Sequence, residues 1–295
     1  MRNKKGRLTT VLLVIIFLVG LSVMLYPAVS NWWNSHVQSR VVAGYQQAVA
    51  EIDDNKEQEL LSKANEYNSM LRRLSYPLLD YEQVKDYYEI LDITGTGIMG
   101  VINIPAIGVE LPIYHGTSEG VLNVAVGHLQ GSTLPVGGKS THAIISAHRG
   151  LPSARLFTDL DKLVEGDQFT ITILKDIYIY EVEKISIVLP HEFDELVIQP
   201  GRDLVTLMTC TPYGINTHRL LVRAHRVGTS EVEGPQQEIK VLPDAVMVDS
   251  MSVVPFISAV PVALLLAWWL FGGRRRRRLP KDDPLSIFDD DNKKP

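Results

Sequence analysis

Asp203-Leu204-Val205-Thr206-Leu207-Met208-Thr209-Cys210-Thr211-Pro212-Tyr213-Gly214-Ile215-Asn216-Thr217-His218-Arg219-Leu220-Leu221-Val222 is the stretch on which the fold turns. Residues 203–209 and 218–227 read as two strands, and the connection between them is rich in turn formers. If the strands pair antiparallel, the thiol that ends the first and the guanidinium that opens the second lie at the same end of a sheet.

Working outward, the same strand signal recurs. Residues 101–104 form a short β-branched run ended by Pro105-Ala106, and Ile107, Val109, Leu111 and Ile113 then alternate at period two. Residues 141–148 make a short apolar strand that ends on His148, followed by Arg149-Gly150. Residues 169–174 and 177–187 alternate across Lys175-Asp176 like a hairpin. Short helices are expected over 118–129 and 153–163. About eight strands with few helices predict an all-β barrel or sandwich over residues 95–228.

The flanks differ in kind. Residues 8–35 hold no Asp, Glu, Lys or Arg and are almost continuously apolar over 8–29; residues 250–273 are likewise free of those types. A bilayer core of ~30 Å needs ~20 helical residues, so both runs are long enough to cross it. Arg2, Lys4, Lys5 and Arg7 precede the first run, and five arginines at 274–278 follow the second. Basic flanks stay cytoplasmic, so both termini are expected inside and the middle of the chain outside the cell membrane. A competing reading of the first run is a signal peptide cut after Ser30, at Ala28-Val29-Ser30.

The expected organisation is a cytoplasmic N-terminus (1–7), a transmembrane helix (8–29) and a helical extension (34–94). The β domain (95–228), a linker (229–250), a second transmembrane helix (251–273) and a cytoplasmic tail (274–295) follow. Within the extension, Val37, Val41, Tyr45, Ala48 and Val49 make one stripe and Leu60, Leu61, Ala64, Tyr67, Leu71 and Leu74 another, both at amphipathic-helix spacing.

Charge excludes one class of function. Between the two basic ends, 17 basic residues face 29 acidic ones. Nucleic-acid phosphates demand a basic patch, so nucleic acid is not an expected partner. Metal is not expected either, because one cysteine and eight scattered histidines lack ligand spacing.

The lone cysteine, Cys210, falls in the segment expected to be exported, where cysteines ordinarily pair. An unpaired one is a small buried hydrophobe or a reactive thiol. Nearby positive charge favours the nucleophilic thiolate. A histidine serves to protonate a leaving amine and to deprotonate an incoming one, and a fixed guanidinium stabilises an oxyanion. His148, Cys210 and Arg219, all at predicted strand ends, are the residue types that such acyl transfer requires.

The sequence around these residues resembles the sortase family. Residues 206–214 are similar to the family's active-site strand, Arg219 in Asn216-Thr217-His218-Arg219-Leu220 falls where it keeps its arginine, and Ala147-His148-Arg149-Gly150-Leu151-Pro152-Ser153 resembles its histidine region. The resemblance runs from about Gly97 to Val227. It implies an eight-stranded barrel with short helices, a cysteine transpeptidase with catalytic His148, Cys210 and Arg219, and no cofactor. Leu207-Met208-Thr209-Cys210-Thr211-Pro212-Tyr213, the second apolar run and the extension resemble the class C, pilus-assembling variant. That variant implies pilin partners carrying a Leu-Pro-x-Thr-Gly-like sorting signal and an acceptor lysine; a housekeeping sortase is the alternative within the family, and a non-catalytic module that binds sorting signals the alternative outside it.

Thr209, Thr211 and Arg149 are candidate substrate contacts. Many pilus sortases carry a lid with an Asp-Pro-aromatic motif. Residues 75–92 lack that tripeptide, but Tyr76, Pro77, Asp80 and Tyr81 hold similar residues in another order. They are read as an altered lid or none.

Overall fold

The computed structural model describes residues 4–231, with side chains from Leu8 onward. The second apolar run, the linker past Glu231 and the basic and acidic tail lie outside the described residues.

The first apolar run belongs to a single helix, α1 (Lys4–Ala50), which carries Pro27 within it. By length and composition this helix is able to cross a membrane. Leu8, Leu12, Leu13, Ile16, Phe17 and Met24 are exposed on it, which is costly in water and favourable in lipid. Beyond residue 29 the helix changes character, and Val37, Val42, Tyr45 and Val49 are buried. Asp53 then caps α2 (Asp54–Leu71) by accepting a hydrogen bond from Lys56 N at 2.7 Å. Of the second stripe, Leu60, Ala64, Tyr67 and Leu71 are buried, while Leu61 and Leu74 are partly buried and Leu74 lies past the end of α2. Asn68 on the same face pins the chain at Leu134 from both sides, accepting from its N at 2.7 Å and donating to its O at 3.1 Å.

Residues 75–92 contain one helical turn, α3 (Pro77–Asp80), and a 3-10 turn at Tyr81–Gln83. The β domain follows as eight strands: β1 (Ile98–Ile104), β2 (Val109–His115), β3 (Val126–His128), β4 (Thr141–Ser146), β5 (Gln168–Ile173), β6 (Asp176–Val188), β7 (Asp203–Thr211) and β8 (His218–Glu231). They close into a barrel in the order β1-β2-β3-β4-β7-β8-β6-β5. Closure leaves no unpaired edge. The interior is filled by Ile102, Ile104, Ile113, Ile145, Phe169, Ile171, Tyr180, Leu207 and Val222.

Four expectations change, the first being that the strand expected over 141–148 ends at Ser146 and leaves His148 two residues beyond it. The helix expected over 118–129 is one turn, α4 (Glu119–Leu122), capped by Ser118, and the rest of that stretch supplies β3. The helix expected over 153–163 is reduced to a 3-10 turn at Leu160–Lys162 among other turns. β8 runs past residue 228, because Thr229, Ser230 and Glu231 pair with Tyr178, Ile177 and Asp176 of β6.

Two pairings position the site. β4 and β7 run parallel, in register from Thr141↔Asp203 to Ser146↔Met208, so their C-terminal ends share a rim. β7 and β8 run antiparallel and bring Cys210 directly opposite Arg219.

Candidate active site

At this rim the backbone sets the spacing before any side chain acts. Ala147 N donates to Met208 O at 3.2 Å, carrying the β4–β7 pairing one residue past the end of β4. Thr209 is buried and its Oγ1 donates to Ala147 O at 2.8 Å, which ties the two strand ends again. His148 is the next residue, and its carbonyl accepts from Phe157 N at 3.2 Å, so the loop after β4 folds back upon itself. Gly150, at φ +79°, lets the chain turn there; a Cβ on it would lie 2.9 Å from the Tyr213 ring. That ring belongs to the β7–β8 turn, in which Ile215 N and Asn216 N both donate to Pro212 O.

A cavity of about 230 Å³ opens at this rim, lined by Thr117, Leu122, Ser146, Ala147, His148, Met208, Thr209, Cys210 and Arg219. His148 and Cys210, 62 positions apart in the sequence, meet there with Arg219, each of the three partly exposed. Among the described residues the Arg219 guanidinium donates to two backbone carbonyls, His218 O at 3.2 Å and Asn216 O at 3.4 Å. No ion pair involving it occurs among the described residues, so its charge stays available to the cavity. A nucleophile, an acid–base group and a cation on one wall constitute the equipment for acyl transfer.

The other candidates are placed differently. Thr209 lines the cavity, but its hydroxyl proton is committed to Ala147. Thr211 and Arg149 are not part of the cavity wall: Arg149 Nη1 donates to Thr211 Oγ1 at 3.3 Å, and its Nη2 is ion-paired with Asp161. The wall takes no side chain from residues 75–92 either. Tyr76 is exposed, while the backbone of Pro77 and Leu78 and the ring of Tyr81 approach Gly131. Leu78 packs in a small cluster with Ile144, Leu221 and Met208, and Met208 is itself a wall residue.

Thr117, Leu122, Ser146, Ala147 and Met208 complete the wall without having been singled out in the sequence. For Ser146 and Met208 a signal existed, since each lies two positions before a candidate group and period two turns it to the same face. Leu122 gave none, because its stretch read as helix, and Thr117 lies just before that stretch with no pattern of its own.

Three buried histidines lie outside the cavity wall, and His115 sits between Gly97 O at 2.9 Å and Ile90 O at 2.7 Å. His128 sits between Tyr87 Oη at 2.8 Å and Thr133 O at 2.9 Å, His142 between Thr206 Oγ1 at 2.7 Å and Val197 O at 2.9 Å. Burial lowers them to about 3 and about 4, so both are neutral. No cluster of His, Cys, Asp and Glu suited to a metal occurs among the described residues.

Comparison with known proteins bears on the barrel as a whole. The sortase domain model matches residues 102–227. Sortase A of Streptococcus agalactiae serotype III (strain NEM316) is 27% identical over 248 residues, covering 81% of this chain and 95% of that protein. The crystal structure of sortase C1 from Streptococcus agalactiae is 49% identical, with a TM-score of 0.59, covering 64% of this chain and 98% of that one. Sortase C of Streptococcus pneumoniae, whose structure is described in terms of catalysis and pilin substrate specificity, is 39% identical with a TM-score of 0.59, covering 65% of this chain and 99% of that one. With the barrel, its single cysteine and these similarities together, the chain belongs to the sortase family of cysteine transpeptidases.

Proposed function

We propose that this protein is a pilus-assembling, class C sortase, anchored in the cell membrane with its barrel outside and both termini in the cytoplasm. The observation that carries the chemistry is the cavity wall shared by Cys210, His148 and Arg219. The class assignment is supported by 49% and 39% identity to structures named sortase C. The N-terminal apolar helix supports the anchor, and the second apolar run and the arginines at 274–278 support the two-pass topology.

In this reading the Cys210 thiolate attacks the carbonyl carbon of the threonine in a Leu-Pro-x-Thr-Gly-like signal. Arg219 donates hydrogen bonds to the oxyanion that forms. His148 gives a proton to the glycine nitrogen as the peptide bond breaks, leaving a thioester on Cys210. A lysine amine of the next pilin then gives a proton to His148 and attacks the thioester; collapse forms an isopeptide bond and returns the thiolate. No cofactor enters, because the energy of the peptide bond is held in the thioester. Thr209, Thr211 and Arg149 act around the signal by holding the strand ends, and Leu78 packs against the same Ile144, Leu196 and Leu221 cluster as the wall residue Met208.

The test is incubation of the protein with a fluorogenic Leu-Pro-x-Thr-Gly peptide and a pilin domain bearing the acceptor lysine, with Cys210→Ala alongside. Cysteine-dependent joining of peptide to lysine is expected. Cleavage without joining would favour the housekeeping reading instead, and no cleavage would overturn the enzymatic one.

A further inference from the structure

Helix α1 measures where the cavity stands relative to the end of the apolar run. Past residue 29, Ser30, Asn34 and Gln38 recur every four positions on one face and all three are buried. Polar groups are buried only with partners. Ser30 Oγ and Asn34 Nδ2 donate to Ser153 O at 3.4 and 3.0 Å, and Asn31 Oδ1 accepts from Arg155 N at 2.9 Å. Gln38 Nε2 donates to Val124 O at 2.6 Å. These carbonyls and amides belong to the two loops that bear His148 and Leu122. Further along the helix, Val42, Tyr45 and Val49 pack on Ile98 and Val101, and Tyr45 Oη donates to Met99 O and accepts from Leu174 N.

The helix therefore lies along the barrel wall from rim to rim. Its beginning touches the loop after β4 and the loop before β3, and its far part touches the start of β1 and the β5–β6 turn. Strand direction gives the same polarity independently: β4 and β7 run parallel and deliver His148 and Cys210 to one rim, while β5 and β6 turn at the other. At 1.5 Å per residue, Asn34 stands about 8 Å past Val29 and Tyr45 about 24 Å past it. The headgroup layer on each side of a bilayer is ~5–8 Å deep.

We infer that the rim carrying His148, Cys210 and Arg219 rests at the lipid headgroup layer, and that the β7–β8 turn docks on the bilayer surface. The occupant is the membrane in which α1 is anchored, so the inference rests on the anchor reading above. Tyr213 and Ile215 on that turn are 60% and 68% exposed, although both are large and apolar. The Tyr213 ring lies against Gly150, three residues from Ser153. Trp32 and Trp33, also exposed, stand on α1 at the same level, and aromatic side chains favour that depth. A cavity so placed takes a peptide where it emerges from lipid, and a peptide tethered in the same membrane reaches it by lateral diffusion.

The experiment uses the full chain with Cys210→Ala, carrying either Ile215→Cys or Asp54→Cys labelled with an environment-sensitive fluorophore. Asp54 is exposed and pairs with Lys175 at the opposite rim. Both proteins are reconstituted in phosphatidylcholine–phosphatidylglycerol vesicles containing headgroup-nitroxide lipid. Quenching at 215 should exceed that at 54 by at least about threefold, given the ~5–8 Å layer. Equal quenching, or stronger quenching at 54, overturns the docking; removal of the protein by alkaline carbonate overturns the anchor and the docking with it. Peptide cleavage by the unsubstituted protein in the same vesicles is read separately. Depth contrast without cleavage sinks the enzymatic reading and leaves the docking standing, whereas cleavage without contrast sinks the docking alone.

Discussion

Thr209→Val isolates the bond between the two strand ends that carry the proposed nucleophile and acid–base group. Valine keeps the outline of threonine and its preference for strand, so the wall stays packed. What disappears is the 2.8 Å hydrogen bond to Ala147 O, a buried carbonyl one residue before His148. Leaving a buried acceptor unsatisfied costs about 1–3 kcal/mol. For a domain of this size, about 1.5 kcal/mol corresponds to a fall in Tm of roughly 3–6 °C. Thr209→Ser keeps the donor and removes one methyl group, which costs about 0.8 kcal/mol. The two variants thus lose comparable stability by different routes. Their activities should separate, because a displacement of ~1 Å at a reacting group costs on the order of 100-fold. Peptide cleavage by the full chain in detergent micelles, with thermal unfolding of the same samples, reads both quantities. Thr209→Val should lose at least about tenfold in kcat relative to Thr209→Ser, with KM little changed, since uniform binding is not what was removed. Equal kcat for the two variants would refute the claim that this bond positions His148.

Arg219→Lys keeps the charge but not the planar fork, and kcat should fall by about 100-fold while the fold is retained; near-normal kcat would remove Arg219 from oxyanion stabilisation. Gly150→Ala places a Cβ at φ +79° against the Tyr213 ring, so a loss of about 1–2 kcal/mol is expected in denaturant unfolding, and an unchanged midpoint would contradict the contact. His128 and His142 stay neutral in the folded protein at about 3 and about 4, whereas the unfolded chain binds protons from about pH 6.5 downward. Their contribution is present above that pH and is lost as pH falls from 6.5 towards 4, at up to roughly 1 kcal/mol per pH unit each; His128→Gln should flatten this slope in pH-dependent unfolding. Gln38→Met preserves volume and helix propensity but removes the donor to Val124 O, so hydrogen exchange should rise over residues 122–126 with little change elsewhere.

The sequence and the structure part company where the pattern is short. Residues 101–104, 177–187, 203–209 and 218–227 were read as strands and each lies within one, whereas the readings over 169–174 and 141–148 overrun β5 and β4 by one and two residues. β3 was lost because Val126-Gly127-His128 is three residues long and has glycine at its centre. Nothing local marks that segment as a strand; it is one because it bridges β2 and β4, and a Cβ on Gly127 would strike the Gly116 carbonyl. The stretch over 153–163 carries apolar residues at helical spacing. Its backbone groups are instead drawn to distant partners, Ser153 O to α1 and Arg155 N to Asn31, which override local preference. The same reason hid the role of Asn34 and Gln38. On a helix leaving an apolar run, polar residues at spacing four read as a solvated face until the loops they satisfy are seen.

The convergence of His148 and Cys210 rests on phase as much as on proximity. Ser146 is in register with Met208, so His148 and Cys210 each stand two residues past a paired position. Because side chains alternate with period two, both are turned to the same face at the same height. A slip of one residue between β4 and β7 would set Thr209 in the place of Cys210 and turn the thiol away from the cavity. Registry here is fixed by core residues on the same two strands: Ala143, Ile145, Val205 and Leu207 are buried and in register with one another. A slip would drive Ile145 and Leu207 out of phase across the pair, at ~1.5–3 kcal/mol for each such side chain exposed. The packing that stabilises the barrel therefore also sets the alignment of the reactive groups. A substitution of Leu207 that weakens packing should reduce activity further than stability alone predicts, because native molecules with loosened registry lose the alignment without unfolding.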